Sequence, residues 1–352
     1  MKYLIIGGVA GGATTAARLR RLDEKSKIIV FERGEYISYA NCGLPYYIGG
    51  TIPERENLFV QTPATFGQRF NLEVRNFSEV IAIDREKKEV TVKKVKSGEI
   101  YTENYDKLVL SPGAEPVKPP IPGIQSEGIF TLRNVPDTDK IKQYIEEKKP
   151  RHAVVVGAGF IGLEMAENLH KAGLRVTIVE MAEQVMSPLD YSMAAMVHQH
   201  LKTKNVEFYL KSSVASFAQK GNRIEVKMNS SKTIETDMVI LSIGVRPDSQ
   251  LAKAAGLAIG TSGGIVVNEY MQTNDEHIYA VGDAIEFPNP ITDTPMITYL
   301  AGPANKQGRI AADNLVFGNK KTYKGSVNTA IAKVFDITVA ATGVSGKQLG
   351  KL

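Results

Sequence analysis

The chain has 352 residues, of which 43% are hydrophobic and 23% are charged, and this balance predicts a globular protein of two or three domains. Its formal net charge of +5 at pH 7 is spread along the chain and gives no reason to expect a nucleic-acid partner. Without a signal-peptide pattern or an apolar run of membrane-spanning length, and with a single cysteine, the chain is expected to be cytoplasmic, with no membrane partner, no internal disulfide and no metal site.

The first 32 residues follow the order strand, glycine turn, helix and strand. Residues 3–6 (YLII) have an apolar strand pattern, residues 7–12 (GGVAGG) predict a turn, and a helix and a second strand follow that ends at Glu32. This order is typical of the mononucleotide-binding βαβ unit, in which backbone N–H groups hold a diphosphate and the acidic residue accepts hydrogen bonds from a ribose. Val9 stands at the middle glycine position, so this copy of the pattern is the weaker of two.

A second copy begins near residue 153. Residues 153–156 (AVVV) predict a strand, residues 157–162 (GAGFIG) the turn, and a helix and a strand follow that ends at Glu180. Because both copies carry the turn and the acidic residue, we expect two dinucleotides. A carboxylate at Glu180 repels a 2′-phosphate, and no arginine follows it to bind one, which favours NADH over NADPH.

The remaining segments contain short strands and one further helix. Residues 74–111 alternate as short strands, and the proline-rich residues 116–122 predict a linker. A helix is predicted around residues 191–204, and residues 277–283 predict a buried strand that ends in Gly-Asp. From residue 326 onward the pattern changes to apolar strands.

Three further motifs stand in order along the chain: SPGAEP (Ser111–Pro116), GVRPD (Gly244–Asp248) and YAVGD (Tyr279–Asp283). Together with the two glycine turns they make the chain resemble the pyridine nucleotide–disulfide oxidoreductases, flavoproteins that bind two dinucleotides, over essentially its whole length. The resemblance implies an α/β fold with two Rossmann-like domains, one for FAD and one for NADH, inserted antiparallel strands, and the start of an α+β interface domain. The implied limits are 1–115 and 244–320 for the FAD domain, 116–243 for the NADH domain and 321–352 for the interface domain.

The resemblance also implies which residues contact the cofactors. Asp283 would lie on the ribityl chain of the flavin. Glu164 resembles a family glutamate near the nicotinamide and equally fits a surface position on a helix. The expected cofactor-binding residues are Gly7, Gly8, Ala10, Gly11, Gly12, Glu32, Arg33, Ser111, Pro112, Gly113, Gly157, Gly159, Phe160, Ile161, Gly162, Glu180, Gly244, Gly282 and Asp283.

The lone Cys42 lies in a polar, turn-rich segment, residues 38–46 (SYANCGLPY). A single cysteine is often buried and inert, but this one stands outside any apolar strand, ten residues after Glu32. If it is redox-active, its oxidised form must be a mixed disulfide with a small thiol, a sulfenic acid or a persulfide, because the chain has no second cysteine. The sequence SYANCGLPYYIGG resembles the single-cysteine coenzyme A-disulfide reductase and NADH-dependent persulfide reductase branch, which implies that Cys42 is the catalytic residue.

That branch implies an FAD-dependent, NADH-using reductase of low-molecular-weight disulfides or persulfides. Coenzyme A disulfide, coenzyme A persulfide and polysulfide remain open as substrates, and coenzyme A is expected as a bound thiol or as substrate. NADH peroxidases and water-forming NADH oxidases are the nearest alternatives. They resemble a pattern with serine before the cysteine and histidine in the first glycine turn, where this chain has Asn41 and Ala10. A flavin-bearing redox sensor with slow turnover is a third alternative.

Coenzyme A carries a diphosphate and a 3′-phosphate, so its site should contain cations. Thr14, Arg18 and Arg21 are spaced to share one helix face, and the planar arginine side chain suits phosphate, although a solvated basic face is the alternative. Asn305 would lie near the flavin and the thiol, or would cap a helix. The expected substrate-binding residues are Thr14, Arg18, Arg21, Ser38, Asn41, Arg69 and Asn305. The family resemblance implies that related chains continue past Leu352 through an interface domain, so either this chain is shortened or it continues beyond the residues given, and a full-length form is expected to be a homodimer.

Overall fold

The computed structural model describes residues 1–350, so the last two residues of the predicted interface segment lie outside the described residues. Within residues 1–350 the strands are, in chain order, β1 (Lys2–Ile6), β2 (Lys27–Phe31), β3 (Glu73–Arg75), β4 (Ser78–Asp84), β5 (Glu89–Lys94), β6 (Ile100–Asn104), β7 (Lys107–Leu110), β8 (Ala114–Pro116), β9 (Ile129–Thr131), β10 (His152–Val156), β11 (Arg175–Val179), β12 (Glu207–Tyr209), β13 (Val214–Lys220), β14 (Arg223–Met228), β15 (Thr233–Thr236), β16 (Met238–Leu241), β17 (Val245–Pro247), β18 (Ile265–Val266), β19 (Ile278–Ala280), β20 (Ile285–Pro288), β21 (Pro295–Met296), β22 (Ala330–Val334) and β23 (Ile337–Ala341).

The helices alternate with the strands of the parallel sheets. In chain order they are α1 (Ala10–Leu22), α2 (Leu44–Ile48), α3 (Pro63–Phe70), α4 (Val135–Lys148), α5 (Phe160–Lys171), α6 (Tyr191–Thr203), α7 (Gln250–Ala254), α8 (Ala301–Phe317) and α9 (Gly346–Leu349), with 3₁₀ turns at Asn41–Gly43, Arg55–Leu58 and Gly282–Ala284. The helix predicted around residues 191–204 is confirmed as α6. No helix within residues 1–350 combines the length and the apolar character needed to span a membrane.

The chain divides into two compact units. The first unit comprises residues 1–39, 59–115 and 246–328, and the second comprises residues 40–58 and 116–245 together with the described residues from Thr329 onward. The segment that contains Cys42 and the hairpin β22–β23 therefore both belong to the second unit. This division places residues 40–58 and 244–245 of the predicted FAD domain in the second unit and divides the predicted interface segment at residue 328. As limits of cofactor domains, the predicted bounds stay a prediction.

The first unit is built on a five-stranded parallel sheet in the order β19-β7-β1-β2-β3. After an initial lysine, its three central strands are apolar because helices and loops cover both faces of a parallel sheet. Helices α1 and α8 pack closely beside it, and Gly308 of α8 makes that approach possible, since a Cβ there would lie 2.7 Å from the Gly11 backbone oxygen. The antiparallel strands β4-β5-β6 extend this unit.

The second unit repeats the design with the parallel order β12-β11-β10-β16-β9. Strand β10 is fully buried, and α5 connects it to the parallel strand β11, so the three elements form a βαβ unit. Antiparallel strands β13-β14-β15 and the hairpin β22–β23 complete the unit. The predicted α/β class, with two Rossmann-like sheets and additional antiparallel strands, is confirmed.

Candidate functional site

The first glycine turn lies between β1 and α1 and packs against the end of β7. Gly7 has a φ of +97°, and a Cβ there would lie 2.0 Å from the backbone oxygen of Ser111. A Cβ at Gly12 would lie 1.9 Å from the Gly7 oxygen. Only glycine fits these two positions, and no side chain caps the N-terminus of α1, so its first N–H groups remain suited to a diphosphate.

Glu32 braces this turn from the end of β2. One carboxylate oxygen accepts a hydrogen bond from the Gly8 N–H at 3.0 Å, and the other accepts from the Gly34 N–H at 2.9 Å. A carboxylate has about four lone-pair positions, so Glu32 retains acceptor capacity for the hydroxyls of a ribose. The geometry therefore fits the predicted role of Glu32 in dinucleotide binding.

A second structural feature of this site comes from β19 and α8. Gly282, with a φ of +83°, donates its N–H to the side-chain oxygen of Gln307 at 2.8 Å, and Gln307 is buried. Asp283 follows in a 3₁₀ turn and is partly buried. Sequence reasoning missed Gln307, because nothing in its local pattern shows that α8 reaches the Gly-Asp turn.

Arg33 is paired within the first unit. Its guanidinium forms ion pairs with Glu115 and, at 3.2 Å, with Asp248. Pro112 and Gly113 follow β7, and the Gly113 oxygen accepts the Asp248 N–H at 2.9 Å. Arg33 thus joins the SPGAEP and GVRPD motifs through one ion pair with each. The sequence did not reveal this structural role.

The predicted substrate residues of the first unit fall into two groups. Thr14 and Asn305 are hydrogen-bonded to each other through their side chains at 2.8 Å, which joins α1 to α8. Arg21 and Arg69 both lie against the ring of Phe70, with guanidinium carbons 5.8 and 5.5 Å from its centroid, and both are exposed. Two exposed arginines within reach of one ring make a local positive surface suited to phosphate.

Arg18 and Ser38 have specific structural partners. Arg18 forms an ion pair with Asp313 of α8 at 2.8 Å. Ser38 has a φ of +46°, unusual for a residue with a Cβ, and its N–H donates to the Gly8 oxygen at 2.9 Å. Ser38 is therefore held against the first glycine turn by its backbone.

The second glycine turn has the same architecture as the first. Gly157 has a φ of +101°, and a Cβ there would lie 2.3 Å from the Ser242 oxygen. Within residues 1–350, no atom outside its chain neighbours lies within 4 Å of a Cβ placed on Gly159, so this face of the turn is open to a ligand. Glu180 accepts hydrogen bonds from the N–H groups of Ala158, at 2.6 Å, and Ala182, at 2.7 Å.

Other residues around this turn complete a dinucleotide cradle. Ile161 is exposed in the first turn of α5, and Gly244 has a φ of +106° with open space around it. The Ser242 hydroxyl is buried and has no hydrogen-bond partner among residues 1–350. A buried polar atom without a partner at the edge of an open turn fits a bound ligand, and no sequence motif pointed to Ser242.

Cys42 is exposed and lies in the 3₁₀ turn Asn41–Gly43, which leads directly into α2. Helix α2 packs on α4 and α5, and a Cβ at Gly49 would lie 2.3 Å from the Asn168 side-chain oxygen. The hydroxyl of Tyr46 lies 3.5 Å from a carboxylate oxygen of Glu164 on α5. The cysteine segment is therefore seated on the helix that follows the second glycine turn.

Two groups in this contact have perturbed acidity. Burial is the main cause that raises the pKa of Glu164 to about 7; the hydrogen bond from Tyr46 partly offsets it and the charge of Glu167 adds to it. Burial, followed by the charges of Glu164 and Glu167, raises the pKa of Tyr46 to about 12, and a smaller contribution comes from Cys42. Among residues 1–350, no group of three or more His, Cys, Asp or Glu side chains is arranged to hold a metal ion.

Comparisons with known proteins agree with this geometry. A family model described as pyridine nucleotide-disulphide oxidoreductase matches residues 1–308. The coenzyme A disulfide reductase of Staphylococcus haemolyticus (strain JCSC1435) is 36% identical over 348 residues, which cover 99% of this chain and 78% of that relative.

Two solved structures are similar over nearly all of the chain. The reduced CoADR-RHD of Bacillus anthracis has a TM-score of 0.97 at 56% identity, and the NAD-dependent persulfide reductase from A. fulgidus has a TM-score of 0.96 at 39% identity. They cover 99% and 100% of this chain, whereas the chain spans only 63% and 65% of their lengths.

Proposed function

Because the chain belongs to the pyridine nucleotide-disulphide oxidoreductase family, as its sequence predicted, we propose that it is an FAD-dependent, NADH-using reductase of low-molecular-weight disulfides or persulfides. Cys42 is its proposed catalytic residue. The observation that carries this proposal is the position of Cys42, the one cysteine of the sequence. It is exposed in a 3₁₀ turn that leads into α2, and α2 packs on α5, the helix that begins at the second glycine turn.

The two glycine turns are the proposed cofactor sites. The first turn, with Glu32, Ser111 and the Gly282–Gln307 pair, fits the diphosphate and ribose of FAD, and the second, with Glu180, fits those of NADH. When bound, FAD supplies a carrier that accepts two electrons from NADH and passes them to sulfur. The carboxylate of Glu180, held by two N–H groups, favours a ribose hydroxyl over a 2′-phosphate.

Cys42 performs the sulfur chemistry in this proposal. Its thiolate attacks one sulfur of a substrate RSSR′, forming a Cys42–S–S–R mixed disulfide and releasing R′S⁻. Two electrons that originate from NADH then cleave the mixed disulfide, which regenerates the Cys42 thiolate and releases RS⁻. With protons taken up by both thiolates, the balance is RSSR′ + NADH + H⁺ → RSH + R′SH + NAD⁺.

Coenzyme A is the proposed thiol carrier. Arg21 and Arg69 present two exposed guanidinium groups beside Phe70, and such groups bind phosphate through charge-assisted hydrogen bonds. The relatives named for coenzyme A disulfide and for persulfide support the class of substrate, and coenzyme A disulfide, coenzyme A persulfide and polysulfide all remain within it. A homodimer is proposed for a full-length form, to be tested by sedimentation.

The proposal is tested by intact-mass measurement of the non-reduced protein. We expect an adduct of the mass of coenzyme A that is lost on reduction and absent from Cys42→Ser, and an NADH-dependent reduction of coenzyme A disulfide that Cys42→Ser abolishes. Oxygen atoms on Cys42 without a thiol adduct, together with NADH oxidation that needs no disulfide, would instead indicate an NADH oxidase or peroxidase.

A further inference from the structure

Residues 181–189 form the segment that connects Glu180, which follows β11, with α6, and this segment lies against the second glycine turn. The Met186 N–H donates to the backbone oxygen of Ala158 in that turn at 2.8 Å. The Ala158 N–H in turn donates to the Glu180 carboxylate at 2.6 Å. Ala158 therefore joins the 181–189 segment to the carboxylate that is proposed to bind a ribose of NADH.

His198 of α6 holds this segment one residue before Met186. Its Nε2 accepts the Val185 N–H at 3.2 Å, and the contact is buried, since His198 is 7% exposed and Val185 is fully buried. Because the Val185 N–H is the donor, Nε2 must be the ring nitrogen that carries no hydrogen, so the imidazole is neutral with its proton on Nδ1. The hydrogen bond therefore exists only while His198 is uncharged.

The backbone at Met186 needs such a hold. Met186 has a φ of +49°, a left-handed conformation that is unfavourable for a residue with a Cβ. Such a conformation persists only where neighbouring contacts fix it. Here the fixing contacts on either side are the Val185 N–H on His198 and the Met186 N–H on Ala158. Loss of the acceptor for Val185 therefore frees the strained residue that contacts the glycine turn.

The surroundings of His198 disfavour its charged form. Its ring centre lies 5.4 Å from that of Phe208 on β12 and 6.1 Å from that of Tyr191. Burial lowers the pKa of His198 from its ordinary 6.5, and the charge of Lys202 lowers it further. The charged and titratable residues of α6 and of the elements that contact it are Glu183, Asp190, Tyr191, His200, Lys202, Lys204, Glu207, Tyr209, Lys333, Asp336 and Lys347.

Of these residues, Lys202 is the one whose charge acts on His198. Strand β12 presents Phe208 to α6, so Glu207 and Tyr209 point to the opposite face of the strand. The Asp190 carboxylate accepts the N–H groups of Gly346 and Lys347. No carboxylate within residues 1–350 is therefore placed to stabilise a proton on His198.

We propose that His198 is a positioning residue for the second dinucleotide site: its neutral imidazole holds the 181–189 segment against the glycine turn, and a proton on Nε2 releases the segment. An imidazolium carries a hydrogen on both nitrogens, so its Nε2–H faces the Val185 N–H with no acceptor between them. A buried N–H without a partner is unfavourable, and the segment moves to where water can accept from Val185. Met186 moves with it, and Ala158 loses the contact that fixes it beside Glu180.

This inference rests on the proposed function, because the second turn is the proposed NADH site. Bound NADH and a proton on His198 oppose each other, since the dinucleotide binds the held segment and the held segment requires the neutral imidazole. The pKa of His198 lies below 6.5, so affinity is constant above about pH 6.5 and falls as the pH drops through the lowered pKa. One proton can weaken binding by at most about tenfold per pH unit.

The probe is ADP-ribose, the part of NADH that contains the diphosphate and both ribose rings but not the redox-active nicotinamide. FAD-loaded protein is titrated with it by calorimetry from pH 8 to pH 5, with circular dichroism as the check that the fold is intact. Wild type should bind about tenfold more weakly at pH 5 than at pH 7.5. His198→Gln retains a neutral acceptor for Val185 and should keep the wild-type affinity of pH 7.5 at both pH values. His198→Leu removes the acceptor and should bind about tenfold more weakly at both.

His200→Gln is the matched control. His200 lies on the same helix, and its Nε2 also accepts a backbone N–H, that of Asp336 at 3.3 Å, but this bond leads to the β22–β23 hairpin. Its pH profile should equal that of wild type. Hydrogen exchange of the peptide 181–189 is measured without ADP-ribose, with labelling times scaled for the intrinsic pH dependence of exchange. It should be about tenfold faster in wild type at pH 5 than at pH 7.5, fast in His198→Leu at both pH values, and slow in His198→Gln.

Three results would each overturn the proposal: the wild-type pH dependence in His198→Gln, the wild-type affinity in His198→Leu at pH 7.5, or a wild-type dissociation constant that is unchanged at pH 5. The exchange measurement needs no dinucleotide. If no protein bound ADP-ribose while exchange of the segment followed His198 as described, the proposed NADH site would be refuted and the hold of His198 on the segment would stand.

Discussion

The stability of the second unit should depend on pH through Glu164, and Glu164→Gln should remove that dependence. In the folded chain the pKa of Glu164 is raised from its ordinary value of 4.5 to about 7, chiefly by burial. Between these two values the native state binds more protons than the unfolded state, so stability falls as the pH rises. Between the two pKa values, each pH unit lowers the free energy of unfolding by about 1.4 kcal/mol. The loss of folding stability due to Glu164 is therefore under about 1 kcal/mol at pH 5 and about 3 kcal/mol at pH 8.5. The neutral glutamine avoids this cost.

Urea unfolding at pH 5 and pH 8.5 measures the effect. Because the chain has no tryptophan, the transition is followed by circular dichroism and tyrosine fluorescence. The free energy of unfolding of Glu164→Gln, relative to that of wild type, should be about 2.5 kcal/mol higher at pH 8.5 than at pH 5. Glu146→Gln, at an exposed position on α4, should show no such difference. Parallel pH dependence in wild type and Glu164→Gln would show that Glu164 ionises in the folded chain at its ordinary pH, and would refute the reasoning.

Three further changes test the site at other points. Gly157→Ala places a Cβ 2.3 Å from the Ser242 backbone oxygen, at a φ of +101° that a residue with a Cβ rarely adopts. The affinity for NADH, measured by fluorescence titration, should therefore fall by more than about tenfold. Unchanged affinity would contradict the geometry of the turn. Glu167→Ala leaves the Phe335 N–H, which donates to Glu167 at 2.9 Å, without its acceptor, and it removes the partner of Lys171, whose side chain is 36% exposed. The change should cost about 1–3 kcal/mol and make the β22–β23 hairpin sensitive to protease, and resistance equal to wild type would argue against this anchor. Arg69→Gln should raise KM for coenzyme A disulfide several-fold while leaving KM for cystine, which lacks phosphate, unchanged, and an equal rise for both would exclude phosphate recognition; Arg21→Gln is the matched second variant.

The parts that the sequence predicted are those whose pattern is local. In each βαβ unit the turn and its acidic residue are fixed by one strand, one helix and a second strand, so Glu32 and Glu180 reach their N–H donors within one motif. The α/β class and the family follow from two such motifs. Helix α2, by contrast, was not predicted, because five residues are too few to show a helical period. Its packing on α4 and α5 joins residues far apart along the chain, so the local sequence could not predict it.

The predicted cations illustrate a second limit. Arg18, Arg21 and Arg69 were grouped by charge and spacing, but the structure gives them different surroundings. Arg18 forms an ion pair with Asp313, nearly 300 residues away in sequence, while Arg21 and Arg69 share one exposed aromatic ring. Helical spacing predicts which side chains share a face. It cannot predict the acidic partner of Arg18, because that partner comes from α8, far along the chain.

The two glutamates of α5 carry this argument to the site itself. Glu164 and Glu167 are less than one helical turn apart, and although the family resemblance distinguished Glu164, the sequence did not show which partner either carboxyl group would meet. Glu167 accepts hydrogen bonds from a lysine and a backbone N–H, whereas Glu164 meets a phenol that comes from 118 residues away. A carboxylate with a cation is fixed in one charge state, whereas a carboxyl group facing only a phenol can change its charge near neutral pH. Which glutamate of α5 has a pKa near neutrality is therefore determined by the partner that the fold places beside it.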